Sequence, residues 1–292
     1  MKKYLFLFVI LTPLYFLSTS CSSDDGTPIE EPIFLEAETH LNVSYGQHPR
    51  QVYDLYLPEG RTQQNTKVIV LVHGGGWTAG DKSEMGEVVD YFRENHPDYA
   101  LANINYVLAE VGVPAFPNQF LDLGSVISQL TDQQNELQIK PEFGLVGTSA
   151  GAHISMMYAY AYDTTNQVKF VANIVGPTDF TDPFYADNPD FNLVFPLLID
   201  ENAYPSNTNL YEAVSPVYQV SATSSPTIIF YGDQDPLVPL SNGQTLEAVL
   251  NAAGVPNSLN VYEGGHGNDW SEADYEDLRL KMEAFMLFHL PL

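Results

Sequence analysis

The chain has 292 residues, 45% of them hydrophobic, which is enough to bury one large core in an α/β arrangement without dividing into two domains. Its 37 acidic and 11 basic residues leave a formal net charge of −26, which repels nucleic acid and anionic lipid surfaces and argues against a polyanion-binding role. With one cysteine, Cys21, an intramolecular disulfide framework is excluded.

In chain order, the first feature is a targeting signal over residues 1–20. Lys2 and Lys3 form a short basic region, Tyr4 to Leu17 is dominated by apolar side chains, and small residues lead to Cys21. The apolar run is shorter than the ~20 residues of a membrane-spanning helix. The junction resembles a bacterial lipoprotein signal, which implies Cys21 as the lipid acceptor and an exported protein anchored to the outer membrane, possible surface exposure included. The leucine usual three residues before such a cysteine here lies four before, as Leu17. An ordinary cleaved secretory peptide is the alternative. Removing residues 1–20 deletes two lysines and no acid, so −26 becomes −28, and membrane contact would run only through the lipid. Residues 21–33 read as a flexible acidic tether, and 34–292 as a single domain.

Within that domain, strands are predicted near Val52–Leu57, Val68–Val72, Tyr99–Ile104, Phe143–Val146, Phe170–Val175, Thr227–Phe230 and Leu259–Tyr262. Helical periodicity falls between them, as in Leu123, Val126, Ile127 and Leu130, and a closing helix is predicted over Glu272–Phe288. Alternating strand and helix imply a mostly parallel sheet covered on both faces. Residues 181–216 break the alternation with five prolines and the aromatics Phe184, Tyr185, Phe191, Phe195 and Tyr204; helical signals are few, confined to Pro196–Asp200 and Leu210–Val214. This insertion reads either as a cap that shapes a substrate pocket or as a segment burying its own small core.

Four motifs fall at strand ends. Gly147-Thr148-Ser149-Ala150-Gly151 follows the run Glu142–Val146, and its glycines suit a strained strand-to-helix corner that exposes the Ser149 hydroxyl as a nucleophile. His73-Gly74-Gly75-Gly76-Trp77 follows Val68–Val72. The amides of Gly75 and Gly76, with that of Ala150, are candidate oxyanion donors, each able to contribute roughly 3 to 4 kcal/mol to the transition state. Trp77 is a candidate substrate wall or a packing residue under the insertion. Asp235, after Thr227–Tyr231, is the candidate to orient a histidine, while Asp233 directly after Gly232 suits a turn. His266, between glycines after Ser258–Tyr262, is the candidate base. The chain order Ser, Asp, His is that of a hydrolytic triad built on a doubly covered parallel sheet. None of the seven histidines has zinc-type spacing, so no metal is expected; His73 and His153 read as supports of the glycine loop and of the nucleophile helix.

The HGGGW, GTSAGAH, GPTDF, GDQDPLVP and GGHG segments together resemble the α/β-hydrolase esterases. The nearest groups are the hormone-sensitive-lipase-like carboxylesterases and the bifunctional acetylxylan and feruloyl esterases. The resemblance spans about Val52 to Leu290 and departs at Ala152, where many relatives carry glycine. It implies an α/β-hydrolase fold and a Ser-His-Asp mechanism on carboxylic esters of carbohydrates or small alcohols, without cofactor. A peptidase of the same fold would use the same chemistry. A non-catalytic binding module would show a damaged triad, and here every motif position is filled.

Overall fold

In the computed structural model, the described residues are 34–292, so the targeting signal, Cys21 and the tether lie outside them. Among the described residues eight strands form one sheet in the order β1-β2-β4-β3-β5-β6-β7-β8. They are β1 (Glu38–Ser44), β2 (Val52–Leu57), β3 (Val68–Val72), β4 (Ala100–Ile104), β5 (Phe143–Thr148), β6 (Val168–Ile174), β7 (Thr227–Gly232) and β8 (Asn257–Tyr262). β2 runs antiparallel to β1 and β4, and every pairing from β4 through β8 is parallel. Strands buried on both faces need continuous apolar runs; β3 (VIVLV) is one, and β4 (ALANI) is broken only by Asn103, whose side-chain amide donates to the Lys82 carbonyl at 2.8 Å.

Five longer helices among the described residues cover the sheet: α1 (Gly86–Asn95), α2 (Asn118–Asp132), α3 (Ala150–Met157), α4 (Leu240–Ala253) and α5 (Glu272–His289). Side chains alternate between two cores. Val68, Val70 and Val72 join Leu123, Ile154, Phe180 and Leu246 on the face of α2, α3 and α4. Ile69 and Leu71 join Val89, Phe92, Leu278 and Met282 on the face of α1 and α5. The start of α5 follows from its capping box, in which Ser271 and Asp274 each bond the other's backbone amide.

Two elements differ from the sequence expectation. β1 is an additional edge strand, and its residues are almost all exposed, so it carries no apolar alternation to reveal it. The insertion, in which few helical signals were expected, holds short helices at Pro183–Ala186 and Pro189–Val194. Each has proline in its first turn and a capping side chain before it, Asp182 bonding the Phe184 amide and Asn188 the Asp190 and Phe191 amides. Helices of four and six residues are too short to show a 3.6-residue period.

Candidate active site

Ser149 stands at the corner between β5 and α3 with φ 49° and ψ −119°, a backbone conformation costly for a residue with a side chain. The corner is possible because of the glycines two residues to either side. A Cβ on Gly151 would overlap the carbonyl oxygens of Val72 and His73, and one on Gly147 would press into the backbone of Ala152. The Ser149 amide is anchored to the Ile174 carbonyl at 2.8 Å, which leaves the side chain to face the ends of the neighbouring strands.

Those strand ends supply an acid and a base. Asp235 follows β7 and accepts the amides of Leu237 and Val238 on Oδ1 at 2.8 and 3.0 Å. Its Oδ2 lies 2.6 Å from Nδ1 of His266, whose Nε2 is 2.9 Å from Oγ of Ser149. The Asp235 side chain has no exposed surface while the His266 ring keeps 17%, so the acid is dry and the base remains reachable from solvent. With Nδ1 donating to the carboxylate, Nε2 is the acceptor for the serine hydroxyl. Residues 149, 235 and 266 thus form one hydrogen-bonded chain. Asp233 instead accepts the Gly264 amide at 3.1 Å and ties the β7 turn to the histidine loop.

The glycine loop after β3 lies directly against the corner, since a Cβ on Gly74 would stand 3.4 Å from that of Ser149. Gly75, Gly76 and Trp77 all have positive φ, at 110°, 55° and 65°. Among the described residues the amides of Gly75 and Gly76 have no backbone or side-chain acceptor, while the loop's carbonyls are held: Gly75 O accepts from Thr78 and Ala79, and Trp77 O from Ala109 and Gln119. The Tyr106 hydroxyl, 3.0 Å from the carbonyls of both His73 and Gly74, fixes the loop's first turn. His73 is fully buried, stacked 4.3 Å from the Tyr106 ring, and burial pushes its pKa down. Ala150, the first residue of α3, is buried beside Ser149.

The Trp77 indole packs edge-on against Phe116, His153 and Phe180 and donates from Nε1 to His153 Nδ1 at 3.2 Å. His153, on α3, donates from Nε2 to the Val214 carbonyl at 2.7 Å, so this neutral ring joins the insertion to the glycine loop. Complete burial pushes its pKa down to about 4. The insertion's aromatics pack on one another and on Phe180 just before it: Phe191 stacks on Phe195 at 4.6 Å, and Phe195 meets Phe180 at a tilt with centroids 4.3 Å apart. They lie on the α2–α3–α4 face, and neither they nor Trp77 line the two hollows that reach His266.

Three side chains absent from the sequence reading hold the histidine loop. Asp269 accepts the Gly265 amide at 2.9 Å, Trp270 donates to the Gly265 carbonyl at 3.2 Å, and the Tyr275 hydroxyl donates to the Gly267 carbonyl. They follow His266 at irregular spacing, and the one signal for them is indirect: a glycine-rich loop must find partners for its backbone from outside itself. Among the described residues no group of three or more His, Cys, Asp or Glu gathers as a metal site.

A largely parallel sheet with serine at a strand-to-helix corner, acid after β7 and histidine after β8 defines the α/β-hydrolase class. The chain belongs to the BD-FAE family, whose model matches residues 53–250. It is similar to the esterase LipC of Mycobacterium tuberculosis, at 21% identity over 241 residues, 78% of this chain and 59% of that protein. The chain spans about half to three-fifths of the length of the first curated relatives it matches, from 49% to 59%. Among solved structures, a truncated carbohydrate esterase from gut microbiota has a TM-score of 0.69 at 19% identity, covering 86% of this chain and 97% of that one. A thermophilic esterase of Thermogutta terrifontis has a TM-score of 0.66 at 20% identity, covering 88% and 93%. Both share the fold.

Proposed function

We propose that the protein is a serine hydrolase of carboxylic esters, acting on acetyl or feruloyl esters of carbohydrates or small alcohols. The observation that carries this reading is His266, bonded through one ring nitrogen to Asp235 and through the other to Ser149. In the acylation step the Ser149 Oγ–carbonyl carbon bond forms as its proton passes to His266 Nε2. The amides of Gly75, Gly76 and Ala150 face the oxyanion. The bond from carbon to the alcohol oxygen then breaks, and that oxygen leaves with the proton from Nε2. Water repeats the sequence, giving its proton to Nε2 and releasing acid and free serine. Asp235 holds the Nε2-acceptor tautomer and balances the charge of the imidazolium. LipC is an esterase and the gut microbial protein a carbohydrate esterase, which supports this reading.

The test is Ser149→Ala on a panel of aryl acetates, acetylated xylan, feruloyl sugar esters and aminoacyl amides. Ester turnover falls by at least about 10³-fold with the thermal midpoint retained; turnover near wild type refutes the mechanism, and faster cleavage of the amides refutes the ester preference. We further propose export and lipid anchoring at Cys21, supported by the apolar run and the small residues before it. Incorporation of a labelled fatty acid that Cys21→Ala abolishes is the expected result; equal labelling in both proteins is the refuting one.

A further inference from the structure

A cavity of about 320 Å³ lies on the α1–α5 face of the sheet, the face opposite the insertion, and opens at His266. Its floor is apolar, with Val146, Ile174 and Leu278 among the contributors, and Tyr91, Trp270 and Tyr275 are its aromatic walls. Arg279, exposed and placed with its guanidinium 5.9 Å from the Tyr91 ring, stands at the rim with Glu87.

Its position relative to the triad distinguishes the two halves of an ester. The proton that leaves Ser149 returns from His266 Nε2 to the leaving oxygen, so the alcohol half must begin within hydrogen-bond reach of that nitrogen. The acyl half extends from the other side of the carbonyl carbon. This cavity borders His266, Gly267 and Thr148, the residue before Ser149, and includes no residue from 73 to 77, the glycine loop; the second hollow at His266, with Gln234 and Asp269 in its lining, is the more polar and does not reach Thr148. We infer that it is the alcohol subsite and that, of the two alcohol classes proposed above, it is shaped for a small flat apolar or aromatic alcohol and not for a carbohydrate. The inference rests on the ester-hydrolase reading and extends it to the substrate's leaving group. An ethyl leaving group would occupy only a small part of the cavity, whereas a bicyclic aromatic alcohol would reach its walls and displace water from apolar surface. Because Trp270 and Tyr275 also hold the carbonyls on either side of His266, an alcohol seated here presses on the residues that position the base.

The test uses two ester series on the full-length protein: acetates of ethanol and 1-naphthol, and ethyl esters of acetic and hexanoic acid. Val88 lines the cavity from α1 and is partly buried, so Val88→Trp projects an indole into it. The ratio of kcat/KM for naphthyl over ethyl acetate should fall at least tenfold against wild type, with the hexanoate-to-acetate ratio moving less than threefold. Ratios cancel the amount of folded enzyme. Tyr91→Ala, which removes a wall instead of filling the space, should lower the same ratio at least threefold and carries the test should Val88→Trp not fold. A larger change in the acyl series than in the alcohol series overturns the assignment, as does no change in either. If wild-type protein cleaves no ester in either series, the ester-hydrolase reading falls and this one with it.

Discussion

Replacing His153 by glutamine should flatten the acid side of the protein's stability profile. The ring is fully buried, donates to Val214 and accepts from Trp77, and burial holds its folded-state pKa down at about 4, below the ordinary imidazole value of 6.5. Between those two values the unfolded chain binds a proton that the folded chain refuses, so stability is fully present above the unfolded pKa and is lost as pH falls toward 4. Linkage between pH 7 and pH 5 gives a loss of roughly 2 kcal/mol from this one group, with a limiting slope of about 1.4 kcal/mol per pH unit. Glutamine can donate to Val214 and accept from Trp77 but does not titrate. Urea unfolding followed by tryptophan fluorescence at both pH values reads the difference: wild type should lose about 2 kcal/mol more than His153→Gln, whatever the two differ by at pH 7. Parallel profiles would refute the premise that His153 is buried neutral between insertion and glycine loop.

Three further outcomes are expected. Asp235→Asn should lower kcat for an aryl acetate by about 10⁴-fold by favouring the wrong imidazole tautomer, whereas Asp233→Asn stays within about tenfold; equal effects would mean that the orienting acid is misassigned. Phe195 is 1% exposed and packs against Phe180 and Phe191, so Phe195→Ala should cost about 3–5 kcal/mol in urea unfolding; a loss under about 1 kcal/mol would show that the insertion has no packed core. Gly151→Ala drives a Cβ into the Val72 and His73 carbonyls and should cost about 2 kcal/mol or more while lowering ester turnover. Unchanged stability and turnover would mean the corner has room that its geometry denies.

The parallel strands were legible because burial on both faces demands runs such as Val68–Val72 that no loop would carry. The hydrogen-bonded chain of Ser149, His266 and Asp235 was legible for a related reason: Gly147, Gly151 and the glycines around His266 are required by backbone positions, and those requirements leave marks in the residue order. β1 was not legible, because an exposed edge strand gains its order from pairing with β2, and pairing has no apolar signature. The clamp on His266 was hidden in the same way, since the Tyr275 hydroxyl meets the Gly267 carbonyl only after α5 has docked.

The insertion shows the deeper limit. Its aromatics announce burial but not direction, and direction depends on which face of the sheet the chain crosses after β6. It crosses onto the face of α2 and α3, where Phe180 and Phe195 close over His153 and Trp77. The hollow bounded by Tyr91, Trp270 and Tyr275 is therefore left to α1 and α5 on the opposite face. One side of the sheet stiffens the glycine loop through His153, and the other walls the space beside His266. A substitution in the insertion should then act on oxyanion geometry, and so on all esters alike, while one in α1 or α5 should discriminate among them by alcohol. Comparing Phe195→Ala with Val88→Trp across both ester series tests that division: uniform loss in the first and selective loss in the second is expected, and selectivity in the first would place the insertion at the substrate after all.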